Sequence, residues 1–175
     1  MRLDHYELAK EHFNAAAQSE AVALESYLPL AEIEEFRGDT LASVRWLDLA
    51  RKLNQTSELP DYQEGLHYCN KGDKQRAGVG FNRAHELNPL NASILFYLAV
   101  YEREFGDPGK AISLLEQAIN AYPGTLPAYY ISLADWYAQA GQCSDMLSTH
   151  ERLRSLIGFD SAFEPVMVEQ KKSCR

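Results

Sequence analysis

The chain has 175 residues, 46% of them hydrophobic and 24% charged, with a formal net charge of −8. That balance belongs to a globular domain with a sizeable core rather than to a disordered segment. It argues against nucleic-acid binding through phosphate neutralisation, which needs clustered Lys and Arg, and no apolar stretch reaches the roughly 20 residues of a membrane span.

Taken in chain order, helical stripes alternate with Gly and Pro punctuation. Residues 3–20 form a first helix, with Ala9, Phe13 and Ala16 on one stripe. Residues 24–57 hold Leu30 and Ala31, a break at Gly38, then Leu47 and Ala50, with Pro29 inside the first helix of the pair. Pro29 is expected to bend that helix or delay its start, because it removes a donor and clashes with the preceding turn. Residues 58–91 repeat the plan more cleanly: Leu59–Asn70, a turn at Gly72-Asp73, a second helix with Ala77, Phe81 and Ala84, and a stop at Asn88-Pro89. Residues 92–125 repeat it again, with Ile94–Phe105, Gly106-Asp107, then Ala111, Leu115 and Ala118, ending at Tyr122-Pro123. Glycine at each turn suits the left-handed conformation that closes a helix, and Pro after the second helix prevents its continuation.

Residues 127–158 are degenerate, because Met146, His150 and Leu153 stand where smaller or aromatic residues stand before. Two readings follow: a looser hairpin, or one that packs on something other than another repeat. Residues 160–173 read as a capping helix, with a capping box at Ser161 and Glu164 and a stripe of Phe163, Val166 and Met167. The half-repeat at the start is either a natural cap or the edge of a longer array.

The columns recur at a fixed period. Gly38, Gly72, Gly106 and Gly141 are separated by 34, 34 and 35 residues, and Phe13, Leu47, Phe81, Leu115 and His150 by 34, 34, 34 and 35. A period of this size marks stacked helix–turn–helix units. Small residues at Gly65, Ala99 and Ala134, with Ala77 and Ala111 opposite, lie where paired helices approach closely.

Gly65, Tyr68, Gly72, Ala77, Phe81, Ala84 and Pro89, then Leu98, Ala99, Gly106, Ala111, Leu115, Ala118 and Pro123, then Leu133, Ala134, Tyr137 and Gly141, make the chain resemble the tetratricopeptide repeat family over about residues 4–158. The resemblance implies one all-α domain over 1–175, a right-handed superhelical stack of helix–turn–helix repeats with terminal capping helices. It also implies a concave groove lined by the first helix of each unit. In this sequence the lining is Leu28, Glu32 and Phe36, then Leu59, Tyr62, Gln63, Leu66, Cys69 and Asn70. Ser93, Phe96, Tyr97, Val100, Arg103 and Glu104 follow, and then Ala128, Ile131, Ser132 and Asp135.

Within that lining Tyr62, Leu66, Phe96, Tyr97, Val100 and Ile131 form an apolar, aromatic set, flanked by Gln63, Asn70, Arg103 and Asp135. Together these ten are the candidate partner-binding residues, although the same side chains also suit packing between neighbouring helices. Relatives that grip a C-terminal carboxylate use Lys, Asn and Arg where this chain has Leu28, Glu32, Gln63, Ser93 and Tyr97, so that clamp is absent.

No catalytic set is visible. Histidines 5, 12, 67, 85 and 150 are dispersed without metal-ligand spacing, no Gly-rich phosphate loop occurs, and no cofactor or metal is implied. Glu32, Glu34 and Glu35 read as a solvated helix face. Cys69, Cys143 and Cys174 show no CxxC spacing and read as free thiols in a reducing, cytoplasmic compartment. An oxidising location stays open for a soluble domain of a larger exported or membrane-anchored protein, although Met1 to His5 form no apolar signal core. The resemblance therefore implies a non-enzymatic scaffold or adaptor that binds a peptide or helix of a partner protein. Alternatives are a chaperone for a secreted client or an assembly factor of a bacterial secretion or pilus-type system, a recruiting or regulatory domain of a larger enzyme or membrane protein, and homo-oligomerisation.

Overall fold

Short turns separate the helices almost where the 34-residue period puts them. The computed structural model describes residues 2–16, 23–124, 126–158 and 162–173. Among these residues there are ten α-helices and no strand. They are α1 (Arg2–Ala16), α2 (Ala23–Arg37), α3 (Thr40–Leu53), α4 (Leu59–Asn70), α5 (Lys74–Leu87), α6 (Ala92–Phe105), α7 (Pro108–Ala121), α8 (Pro127–Gln139), α9 (Cys143–Ile157) and α10 (Glu164–Ser173). The all-α expectation holds. The chain divides into two compact units, Met1–Pro89 and Leu90–Arg175. In the first, α1 packs on α2, and α2/α3 and α4/α5 are helical hairpins; in the second, α6/α7 and α8/α9 are hairpins and α10 packs on α8 and α9.

The turns work through the residue after each glycine. Asp39, Asp73 and Asp107 cap α3, α5 and α7, their carboxylates accepting from the backbone N–H of Ala42, of Arg76, and of Gly109 and Lys110. Such caps satisfy donors that the first helical turn leaves open. The fourth turn has Gln142 in this position, and no side-chain cap forms there. Gly38, Gly72 and Gly141 take the expected positive φ. Gly106 does not: its φ is −125°. There the missing side chain makes room instead, because a Cβ would fall 2.0 Å from Glu102 Oε2. The buried Glu102 carboxylate uses that room to accept from the Asp107 N–H at 3.2 Å and to pair with Lys110 at 2.5 Å. Its pKa is lowered, first by the Lys110 hydrogen bond.

Two other expectations concern α2. Pro29 lies inside the helix without delaying its start at Ala23. Ser26, Leu30, Ala31 and Ile33 around it are buried, and this packing offsets the one backbone donor that proline lacks. Glu34 is not part of a solvated face: it is 4% exposed and pairs with Lys10 of α1 and with Arg37, which also holds Glu7 at 2.5 Å. At the chain's other end, Ser161 lies outside the described residues. Met167 is buried but Val166 is exposed, so the expected stripe of α10 is narrower than Phe163, Val166 and Met167.

A close helix approach lies between α4 and α5. A Cβ on Gly65 would meet the Phe81 ring at 2.6 Å, and one on Gly80 would meet the Gly65 backbone nitrogen at 2.7 Å and the Asp61 carbonyl oxygen at 2.9 Å. A side-chain ring can swing aside, whereas a helix backbone moves only as a unit. In an exposed helix Gly→Ala gains roughly 1 kcal/mol of helix propensity. Here that gain is overridden, and Gly80→Ala is expected to destabilise the chain by about 1–3 kcal/mol through overpacking. The midpoint of urea unfolding checks this, and an unchanged or raised midpoint contradicts the close contact.

Candidate functional site

In the first unit α2, α3 and α4 surround an open cavity of about 550 Å³. The geometry of α4 follows from its two neighbours. Gly65 is held against Phe81 and Gly80 of α5, and the buried Asp61 accepts from Arg51 of α3 at 2.9 Å. With those residues turned inward, helical periodicity brings Leu59, Tyr62, Gln63, Leu66 and Asn70 to the cavity. Leu28, Ala31, Glu32, Glu35 and Phe36 of α2 and Ser43 and Leu47 of α3 complete the lining. Phe36 and Leu59 remain 58% and 44% exposed, an apolar rim on an apolar cavity.

Arg51 fixes the wall between α3 and α4. It reaches Asp48 at 2.7 Å, Asp61 and Glu64. Burial acts to lower its pKa, but Glu64 and Asp61 outweigh burial and raise it. Glu35 ties α2 to α4 in the same way: its Oε1 accepts from Asn70 Nδ2 at 3.2 Å and lies 3.4 Å from Nδ1 of the fully buried His67. Gln63 Oε1 is buried without a hydrogen-bond partner among the described residues, a cost of about 1–3 kcal/mol for such a group. The charged groups lining the cavity are Glu32 and Glu35, with no Lys or Arg beside them.

Four candidate residues thus come together here, namely Tyr62, Gln63, Leu66 and Asn70, along with Leu28, Glu32, Phe36 and Leu59. Cys69, expected in the groove, is an exposed free thiol outside the lining. Sequence reasoning missed Ala31, Glu35, Ser43 and Leu47. Glu35 was within reach, three residues beyond Glu32 on the same helical face. Ser43 and Leu47 belong to a second helix, and nothing in a period alone shows that such a helix reaches the groove.

In the second unit the expected lining is engaged internally. Phe96 stacks on Tyr129 of α8 with ring centroids 4.2 Å apart and planes 2° from parallel, and Tyr97 meets Phe96 edge-on at 5.5 Å. Arg103 hydrogen-bonds Gln139, which donates to Asp135 at 2.6 Å, and its guanidinium lies 5.9 Å from the centre of the Trp136 ring. Val100 is half-buried. The Ile131 carbonyl accepts from Gln170 of α10 at 3.1 Å. In the degenerate hairpin Met146, His150 and Leu153 are buried, and His150 Nε2 meets Gln170 Oε1 of α10 at 2.6 Å. Arg154 and Glu164 join α9 to α10 by two hydrogen bonds of 2.9 and 2.6 Å. Cys143 is disulfide-bonded, which corrects the free-thiol reading for that residue; Cys69 is free, and Cys174 lies outside the described residues. The packing of α10 on α8 and α9 brings Gln170 to both His150 and the Ile131 carbonyl.

No protein-family model matches the sequence, and no curated protein matches it either. Solved structures do. MamA is 21% identical with a TM-score of 0.69, the match covering 86% of this chain and 88% of that one. YrrB, a TPR protein with an unusual peptide-binding site, is 16% identical with a TM-score of 0.74, over 95% of this chain and 86% of that one. A chain of the APC/C hetero-tetramer Cut9–Hcn1 is 16% identical with a TM-score of 0.69, over 97% of this chain and 34% of that one. At these identities the likeness is one of fold, and the fold is that of the tetratricopeptide-repeat helical solenoids. Among the described residues no helix is long and apolar enough to cross a membrane, and no group of three or more His, Cys, Asp or Glu is placed to hold a metal ion.

The buried His150 makes the α9–α10 junction acid-sensitive. Its pKa lies below the ordinary 6.5, first through burial, with Lys171 and Arg154 acting in the same direction and Gln170 and Glu164 against it. Well above pH 6.5 the imidazole is neutral whether folded or unfolded and contributes no pH dependence. Below that pH the unfolded chain takes up a proton that the folded chain resists, so stability falls on acidification, by at most about 1.4 kcal/mol per pH unit. Glu164 titrates further down, its pKa lowered first by the Arg154 hydrogen bond, and does not enter this window. Urea midpoints at pH 7.5 and 5.5 are expected to fall for the parent chain and to fall less for His150→Gln. An equal fall in both excludes His150 as the source.

Proposed function

We propose that the chain is a non-enzymatic protein-interaction scaffold, and that the α2–α4 cavity of the first unit receives an apolar segment of a partner protein. The observation that carries this reading is the cavity itself: about 550 Å³, open to solvent and lined by Leu28, Phe36, Leu59, Tyr62 and Leu66. Its volume lies within the range of roughly 300–1,000 Å³ typical of ligand clefts. Aromatic and branched apolar walls supply contact area at small entropic cost, as expected of an anchor pocket. The fold is compatible with the same use, since YrrB carries a peptide-binding site on it and Cut9–Hcn1 is a hetero-tetramer.

Within the proposal, residues of the first unit divide by role. Phe36 and Leu59 form the accessible rim, Tyr62 and Leu66 the wall, and Gln63 and Asn70 the polar contacts. In the second unit Tyr97 and Val100 stay candidate contacts, whereas Phe96, Arg103 and Asp135 serve internal packing and hydrogen bonding first.

The rim offers the test, because Phe36 and Leu59 are the exposed apolar residues of the lining. Immobilised parent chain and the double variant Phe36→Ser with Leu59→Ser are compared for capture of proteins from the source cell. Capture is expected to weaken at least about tenfold, the scale of one interface hot spot, with helicity and melting temperature nearly unchanged. Equal capture by the variant overturns the assignment of this cavity.

A further inference from the structure

Resting on the reading of the α2–α4 cavity as a docking site, we propose that its occupant is a cationic amphipathic segment, in which a large apolar side chain enters the cavity and a lysine or arginine lies beside it. The argument is charge and hydrogen-bond complementarity. The acidic side chains in the lining are Glu32 and Glu35, no Lys or Arg belongs to it, and the nearest basic group to Glu35 that the structure gives is the buried His67, Nδ1 of which lies 3.4 Å away. Ionised carboxylates only accept hydrogen bonds. The buried Gln63 Oε1, also an acceptor, has no partner among the described residues. The one amide donor of Asn70 with an assigned partner is turned to Glu35.

An apolar cavity edged with acceptors selects an apolar segment that brings donors. Lys and Arg are donors without acceptor capacity, and their methylene stems lie well along an apolar rim such as Phe36 and Leu59. An acidic segment meets Glu32 and Glu35 with like charge, which opposes binding and leaves Gln63 unsatisfied. The net charge of −8 adds a long-range attraction for the same class of partner.

The probes are three short fluorescein-labelled peptides with the same leucines at helical spacing and with lysine, glutamine or glutamate at every other position. Their affinities for the full chain are read by fluorescence anisotropy at low and high salt. The lysine peptide is expected to bind at least about tenfold more tightly than the glutamate peptide, with the glutamine peptide between, and high salt should narrow the gap. Glu32→Gln should reduce the lysine preference by about two- to fivefold, the worth of one exposed charge pair, while Glu86→Gln, which removes the same charge outside the cavity, should leave it unchanged. Equal binding of all three peptides, or a lysine preference that both variants reduce alike, overturns the cationic assignment and leaves the docking reading standing, provided the Phe36→Ser, Leu59→Ser variant releases the peptides. Binding unaffected by that double variant, or no binding at all, overturns both. Light scattering that shows self-association of the parent but not of the double variant makes a second copy the occupant and also overturns the proposal.

Discussion

At Gly65 and Gly80 two helix backbones come so near each other that a methyl group on Gly80 would overlap the backbone of α4. The use of the first unit depends on that contact. A helix held this tightly along one side cannot rotate without breaking it, so the opposite side of α4 is presented at a fixed angle. Phe81 lies over Gly65 and tilts against Tyr62 with ring centroids 6.2 Å apart, so the same contact that seats the hairpin also seats a wall of the cavity. Rigid placement of apolar walls limits what must be ordered on binding, and this matters more for affinity than the area covered.

The polar groups behind the wall work to the same end. Arg51 gathers Asp48, Asp61 and Glu64, two of them on α4, and Glu35 of α2 takes Asn70 of α4 as its partner. Partly buried ion pairs are weak evidence for stability, because desolvation offsets much of their attraction. Their use here is in geometry: they oppose sliding of α4 along α2 and α3, a motion that non-directional apolar packing resists poorly.

The period made most of this fold legible. It placed the turns at Gly38, Gly72, Gly106 and Gly141, the bounds of α4, and the bounds of α6 to within two residues. The family resemblance supplied Leu28, Glu32 and Phe36 of α2 and Leu59, Tyr62, Gln63, Leu66 and Asn70 of α4, but not Ala31 and Glu35. What it did not give depends on contacts between side chains far apart in the sequence. Glu34 reads as solvated until α1 brings Lys10 to it, and Gly106 reads as a left-handed turn until Glu102 is seen to occupy the space beside it. The pairing of His150 with Gln170 likewise depends on α10, which no repeat column encodes. Phe96 was assigned to the groove by its column, although its ring is stacked on Tyr129.

That stacked pair also explains why the cavity lies where it does. Phe96 belongs to the column that holds Tyr62 and Leu28 at steps of 34, and Tyr129 to the column that holds Ile94 and Pro60 at steps of 35 and 34. Between α6 and α8 the two columns supply two rings in parallel contact at 4.2 Å, which fill the space between those helices. Between α2 and α4 the same columns supply Leu28 and Pro60. Pro60 is buried at the start of α4 and Leu28 lines the cavity, and neither has the flat extended surface of a ring. One repeat geometry is thus closed by aromatic stacking in one place and left open by aliphatic residues in another. The volume left by those missing rings stays open to solvent, and the exposed Phe36 and Leu59 lie at its edge.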